Sequence, residues 1–251
     1  MNEMEYKDFY NRVGERNGWD FSKVKCRVLG EAADLYKEVR KVCSRFNLLL
    51  DIGTGGGEAI LGLHDAALLV VGIDQSDGMI ATAQRNLERL QASNVRFMQM
   101  NAEQLAFPKA FFQIVTCRHS PFNVEEIARV LSPGGIFLTQ QVSEGDKLNI
   151  TQSFSRGQHD GKSDGTLRDQ YVRELTTAGF TDVRVRNYNT TEYYQTAEDL
   201  IFLLKHTPII PDFGIDAADF IKLQSFIEAN KSEKGIRTNA ARFIITARKR
   251  T

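Results

Sequence analysis

The 251-residue sequence predicts an α/β protein built on a doubly wound parallel sheet. Three observations predict it. Short apolar runs alternate with amphipathic helical stretches, the pattern of successive βαβ units. The first apolar run ends in a glycine cluster, where a strand hands over to a helix. A composition of 42% hydrophobic and 25% charged residues suits a chain that buries a sizeable core.

Residues 3–16 and 22–46 have helical spacing. In the second stretch Leu29, Ala33, Tyr36, Val39, Val42, Cys43 and Phe46 recur three or four positions apart. The period then changes. Residues 47–52 form an apolar run of the kind that a strand buried on both faces requires, and further runs cover 68–73, 95–100, 111–117 and 136–142. Helical segments separate them at 58–67, 77–91 and 124–131, with Ser76 and Asp77 opening the middle one as cap and first-turn acid. Beyond 142 come a polar stretch, a helix over 166–178, and strand-like runs at 183–188 and 242–247. The connection between those last two runs holds helical stretches at 197–206 and 217–230, an insertion placed to cover a site beside the sheet. The expected organisation is one domain over 1–251: an N-terminal helical cap (1–46), a core (47–188), a helical insertion (189–238) and a last strand with its tail (239–251).

The charge balance, 32 Lys+Arg against 32 Asp+Glu, speaks against a protein whose main task is gripping phosphate backbones. Cys26, Cys43 and Cys117 are odd in number and far apart, so free thiols are expected and a zinc site is not. Residues 1–10 carry four charges and no apolar signal core, and no run approaches the roughly 20 apolar residues of a membrane span. A cytoplasmic protein without membrane contact or bound metal is expected.

The residues that carry chemistry start with Asp51-Ile52-Gly53-Thr54-Gly55-Gly56-Gly57-Glu58. Glycines after a first strand permit a tight turn and let a ligand approach the backbone. The dinucleotide fingerprint G-x-G-x-x-G would need glycine where Glu58 stands, which disfavours a nicotinamide-dependent oxidoreductase. Asp74 ends the next strand, a place from which a carboxylate accepts two ribose hydroxyls, although a plain helix-capping role is also open to it.

With these residues in order, the sequence resembles the class I S-adenosylmethionine-dependent methyltransferases. The resemblance rests on Asp51-x-Gly53-x-Gly55-x-Gly57 and Asp74, on Asn101-Ala102-Glu103-Gln104-Leu105-Ala106-Phe107 after the third strand, on Phe111–Val115 as the fourth, and on Leu131-Ser132-Pro133-Gly134-Gly135 before the fifth. It is strong from 47 to 142. It looks most like the small-molecule and quinone-type enzymes, where a D-A-E-x-L-P-F segment follows strand three; Asn101 and Ala106 depart from that pattern. The resemblance implies a seven-stranded, mostly parallel sheet with the last strand antiparallel, and S-adenosylmethionine as cofactor. It implies that Gly53, Thr54, Gly55 and Gly57 approach the methionine part, with Asp51 supporting the loop or the ammonium group. Asp74 would take the ribose hydroxyls, with Gln75 and Met79 beside the adenine and Asn101, Ala102 and Glu103 at its edge.

Methyl transfer from a sulfonium asks mainly for alignment and exclusion of water, so neither a triad nor a metal cluster is needed. By the same resemblance the end of the fourth strand, Thr116-Cys117-Arg118-His119-Ser120-Pro121-Phe122-Asn123, should adjoin the acceptor. His119 is the candidate base, because an imidazole titrates near working pH, and a histidine bonded to loop backbone is the plainer alternative. Arg118 is a candidate for the cofactor or for an acidic acceptor. Tyr6, Phe9, Tyr10, Trp19, Phe21, Tyr188, Tyr193 and Tyr194 are candidates to line an apolar acceptor pocket, or packing residues of their helices. The expected partner is a small-molecule methyl acceptor. An RNA methyltransferase is disfavoured by the missing Asn/Asp-Pro-Pro-aromatic signature after strand four; a non-catalytic cofactor-binding protein stays open.

Overall fold

Each central strand is apolar on both sides because both of its sides are covered. In the computed structural model, which describes residues 24–158 and 161–251, β2 (Leu48–Ile52) pairs in parallel with β3 (Leu69–Asp74) and with β5 (Phe112–Arg118). Outside these lie β4 (Val95–Gln99), parallel to β3, and β6 (Leu131–Val142), parallel to β5. The long strands β7 (Phe180–Tyr194) and β9 (Gly235–Lys249) complete that side, β9 running antiparallel to both β6 and β7. Two short strands, β1 (Cys26–Leu29) and β8 (Lys231–Ser232), join the sheet at the edge of β7 and beside β9, giving the order β1-β7-β9-β6-β5-β2-β3-β4 with β8 on β9.

Alternate residues of each strand feed two cores. Leu50, Ile52, Val115, Phe137, Phe243 and Ile245 pack with α4 (Val124–Val130) and α6 (Thr166–Thr177) on one face. Leu49, Val70, Ile114, Leu138 and Ile244 pack with α1 (Leu35–Val42), α2 (Glu58–Leu61) and α3 (Asp77–Leu90) on the other. A third cluster is separate. Tyr194 and Ile236, at the facing ends of β7 and β9, bury apolar surface with α5 (Leu148–Phe154), α7 (Ala197–His206) and α8 (Ala218–Asn230).

The helix starts follow capping chemistry. Ser76 accepts from the Met79 N–H, Asn123 from those of Glu125 and Glu126, and Thr196 with Asp199 forms a reciprocal capping box. Four expectations are corrected. The sheet has nine strands among the described residues, not seven, because β1 and β8 extend it at the antiparallel side. Residues 24–46 are not one helix: Cys26–Leu29 pairs with Thr191–Tyr194, Gly30 turns the chain at φ 107°, and only Leu35–Val42 is helical. The helix expected over 58–67 stops at Leu61, where Gly62 and Leu63 switch to bonds three residues back. The last two strands are longer than their apolar runs, since pairing from Phe180↔Lys249 to Tyr194↔Ile236 carries polar residues along. The stretch 3–16 lies outside the described residues.

After β6 the chain buries a cluster of charges. Lys147 is buried and held at 2.8 Å from Glu192, while its ammonium also donates to the Asn239 carbonyl at 3.0 Å. Asp146 takes Arg242 at 2.5 Å and the Ala241 N–H at 2.9 Å, which ties the loop to β9. Deleting one partner of a buried pair strands the other charge. Lys147→Ala is therefore expected to lower stability by about 3–5 kcal/mol, read as a lower urea midpoint at unchanged slope.

Candidate functional site

The carboxyl ends of β2, β3 and β5 lie side by side, and the chain leaves each of them through residues singled out by sequence. Gly53, Gly55 and Gly57 all adopt positive φ, between 57° and 77°, which lets the loop turn back on itself at the end of β2. The N–H groups of Gly53 and Thr54 both donate to the Ile73 carbonyl at 2.9 Å, so the loop is fastened to β3. A Cβ on Gly53 would lie 2.3 Å from the Ser120 side chain, so this glycine also allows the chain after β5 to close against the loop.

Asp74 receives that loop. One carboxylate oxygen accepts from the Gly55 N–H at 3.0 Å and the other from the Ser76 N–H at 2.9 Å. Burial raises its pKa above the ordinary carboxylate range, against the pull of those N–H donors. Gln75 is half-buried beside it, and Met79 is buried in the first turn of α3.

Asp51 is buried completely. Thr116 donates to it from β5 at 2.7 Å, and the Tyr36 hydroxyl reaches both oxygens from α1 at 3.3 and 3.4 Å. Burial pushes its pKa up to about 6, opposed by the hydroxyl donors and by the Arg118 charge. Arg118 is exposed, its guanidinium 5.8 Å from the centre of the Tyr36 ring.

His119 follows β5 directly, with φ at 55°, a left-handed conformation. Its N–H donates to the Gln140 carbonyl at 2.9 Å, and its Nε2 lies 3.2 Å from the Gln140 side-chain nitrogen. Burial, together with Arg242 and Arg118, holds its pKa well below the imidazole range. Cys117, one residue earlier, is a core residue whose thiol donates to the Ser120 carbonyl at 3.1 Å, and burial pushes its pKa far up.

The segment after β4 is attached at its two ends. The Met100 N–H donates to the Asp74 carbonyl at 2.9 Å; Asn101 accepts from the Glu103 N–H at 2.9 Å. Downstream, Arg129 of α4 clasps the Leu105 and Phe107 carbonyls at 2.6 and 2.7 Å, with Glu126 taking the Leu105 N–H. Ala102 is partly buried against the core, while the Asn101 and Glu103 side chains are exposed.

The structure thus brings together Asp51, the glycine loop, Asp74, Arg118 and His119, and sets Asn101, Ala102 and Glu103 at the rim beyond Asp74. Sequence reasoning placed Thr116 and Ser120 in the segment beside the acceptor without giving either a role, and it missed Tyr36 and Gln140. Thr116 and Gln140 carry a readable signal, as polar side chains inside apolar strand runs; Tyr36 carries none, because its spacing is that of any core-facing helix residue. Of the aromatics, Tyr188 packs on the core under α1, Tyr194 joins the third cluster, and Tyr193 lies under Lys234. Tyr6, Phe9, Tyr10, Trp19 and Phe21 lie outside the described residues. Among the described residues no group of three His, Cys, Asp or Glu side chains is placed to hold a metal, and no helix is long and apolar enough to cross a membrane.

Residues 49–135 match the family described as a methyltransferase domain. The chain is 33% identical over 120 residues to the uncharacterized methyltransferase YcgJ of Bacillus subtilis, covering 45% of this chain and 47% of that protein. The crystal structure of YcgJ superposes with a TM-score of 0.60 at 21% identity over 86% of this chain and 97% of that one. The ubiquinone/menaquinone biosynthesis C-methyltransferase UbiE of Azotobacter vinelandii is 35% identical over 114 residues, 40% of this chain and 44% of that protein. A Haemonchus contortus phosphoethanolamine N-methyltransferase, solved in complex with S-adenosyl-L-methionine, gives a TM-score of 0.54 at 18% identity over 97% of this chain and 56% of that one. The chain spans about half the length of the curated relatives it matches. Residues 49–135 thus match a methyltransferase domain, and the chain shares the fold of the YcgJ structure.

Proposed function

We propose that this chain transfers a methyl group from S-adenosylmethionine to a small-molecule acceptor. The observation that carries the reading is Asp74, held by the Gly55 and Ser76 N–H groups at the lip of the glycine loop. A carboxylate offers about four acceptor positions and these donors use two, so two hydroxyls of a ribose are accommodated without displacing the loop. The buried Asp51 fits the rest of the cofactor. A carboxyl raised to about 6 by burial regains its charge beside a cation, and the ammonium of a methionine moiety is one.

When bound, the cofactor supplies a sulfonium methyl already activated for in-line displacement. The chain's own task is positioning. The positive-φ glycines turn the loop, Tyr36 and Thr116 hold the Asp51 carboxylate still, and Ser120 closes against Gly53 where the chain leaves β2 and β5. The likeness to UbiE, named for quinone biosynthesis, supports an aromatic acceptor.

Titration with S-adenosylhomocysteine in a calorimeter tests the reading. One-to-one binding at micromolar affinity is expected; no binding by the folded protein would remove it. Asp74→Ala is expected to weaken that binding by about 1–3 kcal/mol, as for a lost hydrogen bond to a charge. Asp51→Asn separates stability from function. A carboxyl whose folded pKa is raised contributes stability fully present below its unfolded pKa and lost as pH rises through about 6. The variant lacks that loss. Relative to the parent it should gain up to about 3 kcal/mol between pH 4 and pH 7 in urea unfolding, while its affinity for S-adenosylhomocysteine falls.

A further inference from the structure

The end of β5 holds a hydrogen-bond relay that decides what His119 can do. Leu35 opens α1, and its backbone N–H donates to Gln140 Oε1 at 3.0 Å. That donor is unambiguous, so it fixes the orientation of the amide: oxygen toward Leu35, nitrogen toward His119. The amide nitrogen lies 3.2 Å from His119 Nε2. Two N–H groups cannot share that contact, so Nε2 is the acceptor and the ring proton sits on Nδ1. Gln140 is buried in the sheet and cannot turn without leaving the Leu35 N–H unpaired. The charged groups acting on the ring are Arg118 from β5 and Arg242 from β9, both cationic, and both disfavour a second proton. Nδ1 has no hydrogen-bond partner among the described residues.

We propose that His119 is held by Gln140 as the neutral Nδ1–H tautomer, and that it meets the methyl acceptor as a hydrogen-bond donor rather than as a base. The residue after His119, Ser120, packs on Gly53 of the glycine loop, and on the methyltransferase reading the segment after β5 adjoins the acceptor. The acceptor it selects has an oxygen or nitrogen lone pair for that N–H, and a nucleophilic atom with no acidic proton at the moment of transfer. The electron pair of the breaking C–S bond returns to sulfur, the acceptor's own pair forms the new bond, and His119 exchanges no proton. Gln140 is a positioning residue: it touches the imidazole and acts through it.

The test begins with long-range proton–nitrogen spectra of the imidazoles in the full chain without cofactor. The sequence has four histidines, and His119 is assigned by its loss in His119→Gln. The expected pattern is a protonated Nδ1 and a bare Nε2, unchanged from about pH 8 down to 5.5, a range across which an ordinary imidazole with a pKa near 6.5 would charge. A protonated Nε2, or a ring that titrates near 6.5, would overturn the proposal. Gln140→Glu keeps an acceptor for Leu35 and turns the second contact into a carboxylate, so His119 is expected to become an imidazolium across the same range; a Gln140 that merely fills space would leave the spectrum unmoved. The donor role is read from tritiated methyl transfer from S-adenosylmethionine into a desalted small-molecule metabolite extract. His119→Asn keeps a donor near the Nδ1 position and abolishes basicity. It should retain activity within about tenfold, whereas loss of a general base would cost about a hundredfold or more and refute the donor role. The spectra need neither cofactor nor acceptor, so absence of methyl transfer by the parent protein would count against the methyltransferase reading and leave the tautomer result standing by itself.

Discussion

A carboxylate removed entirely from water must be compensated on the spot, and Asp51 sets the arrangement of everything near it. One hydroxyl comes from β5 and another from α1, so the strand beside β2 and the helix above it are fixed with respect to the glycine loop by the same side chain. The compensation is incomplete, as the raised pKa shows. The neighbours hold the carboxylate in place without fully offsetting its burial, which is the condition under which a cation brought beside it would favour its charged form.

The polar strip extends along the α1 side of the sheet. Asp51 and Thr116 face each other in register, Arg118 pairs with Gln140, and Val142 with Arg242, so the apolar filling of each strand gives way to polar side chains toward its carboxyl end. Parallel strands make this inevitable once they are adjacent, because all their carboxyl ends emerge on one edge. The antiparallel β9 enters from the opposite direction and contributes residues from its first half, Asn239 and Arg242, to the same region.

The strands that bury both faces were legible as runs of branched and aliphatic residues, and the helices between them as three-and-four spacing with a capping residue. What stayed hidden depends on partners distant in sequence. Cys26–Leu29 becomes a strand because Thr191–Tyr194 offers an edge, and nothing in the four residues themselves announces it. β7 and β9 run on through polar positions because each pays the other's backbone hydrogen bonds. In the site, the glycine loop and Asp74 were readable from local order, since turn geometry and strand ends are local properties. Tyr36 was not, and Gln140 showed only as a polar residue inside an apolar run, without its partners. Their roles arise where α1 lies across β2 and β6, a contact separated by 105 residues in the case of Leu35 and Gln140.

The third apolar cluster shares no buried residue with the two that sandwich the sheet. Volume changes among Leu200, Leu204, Ile209, Leu223 and Phe226 are therefore absorbed locally and do not propagate to the packing beneath the glycine loop. In mechanical terms the chain has two separately adjustable parts: the helical module can change the shape of its own surface while the sheet that carries the glycine loop keeps its packing.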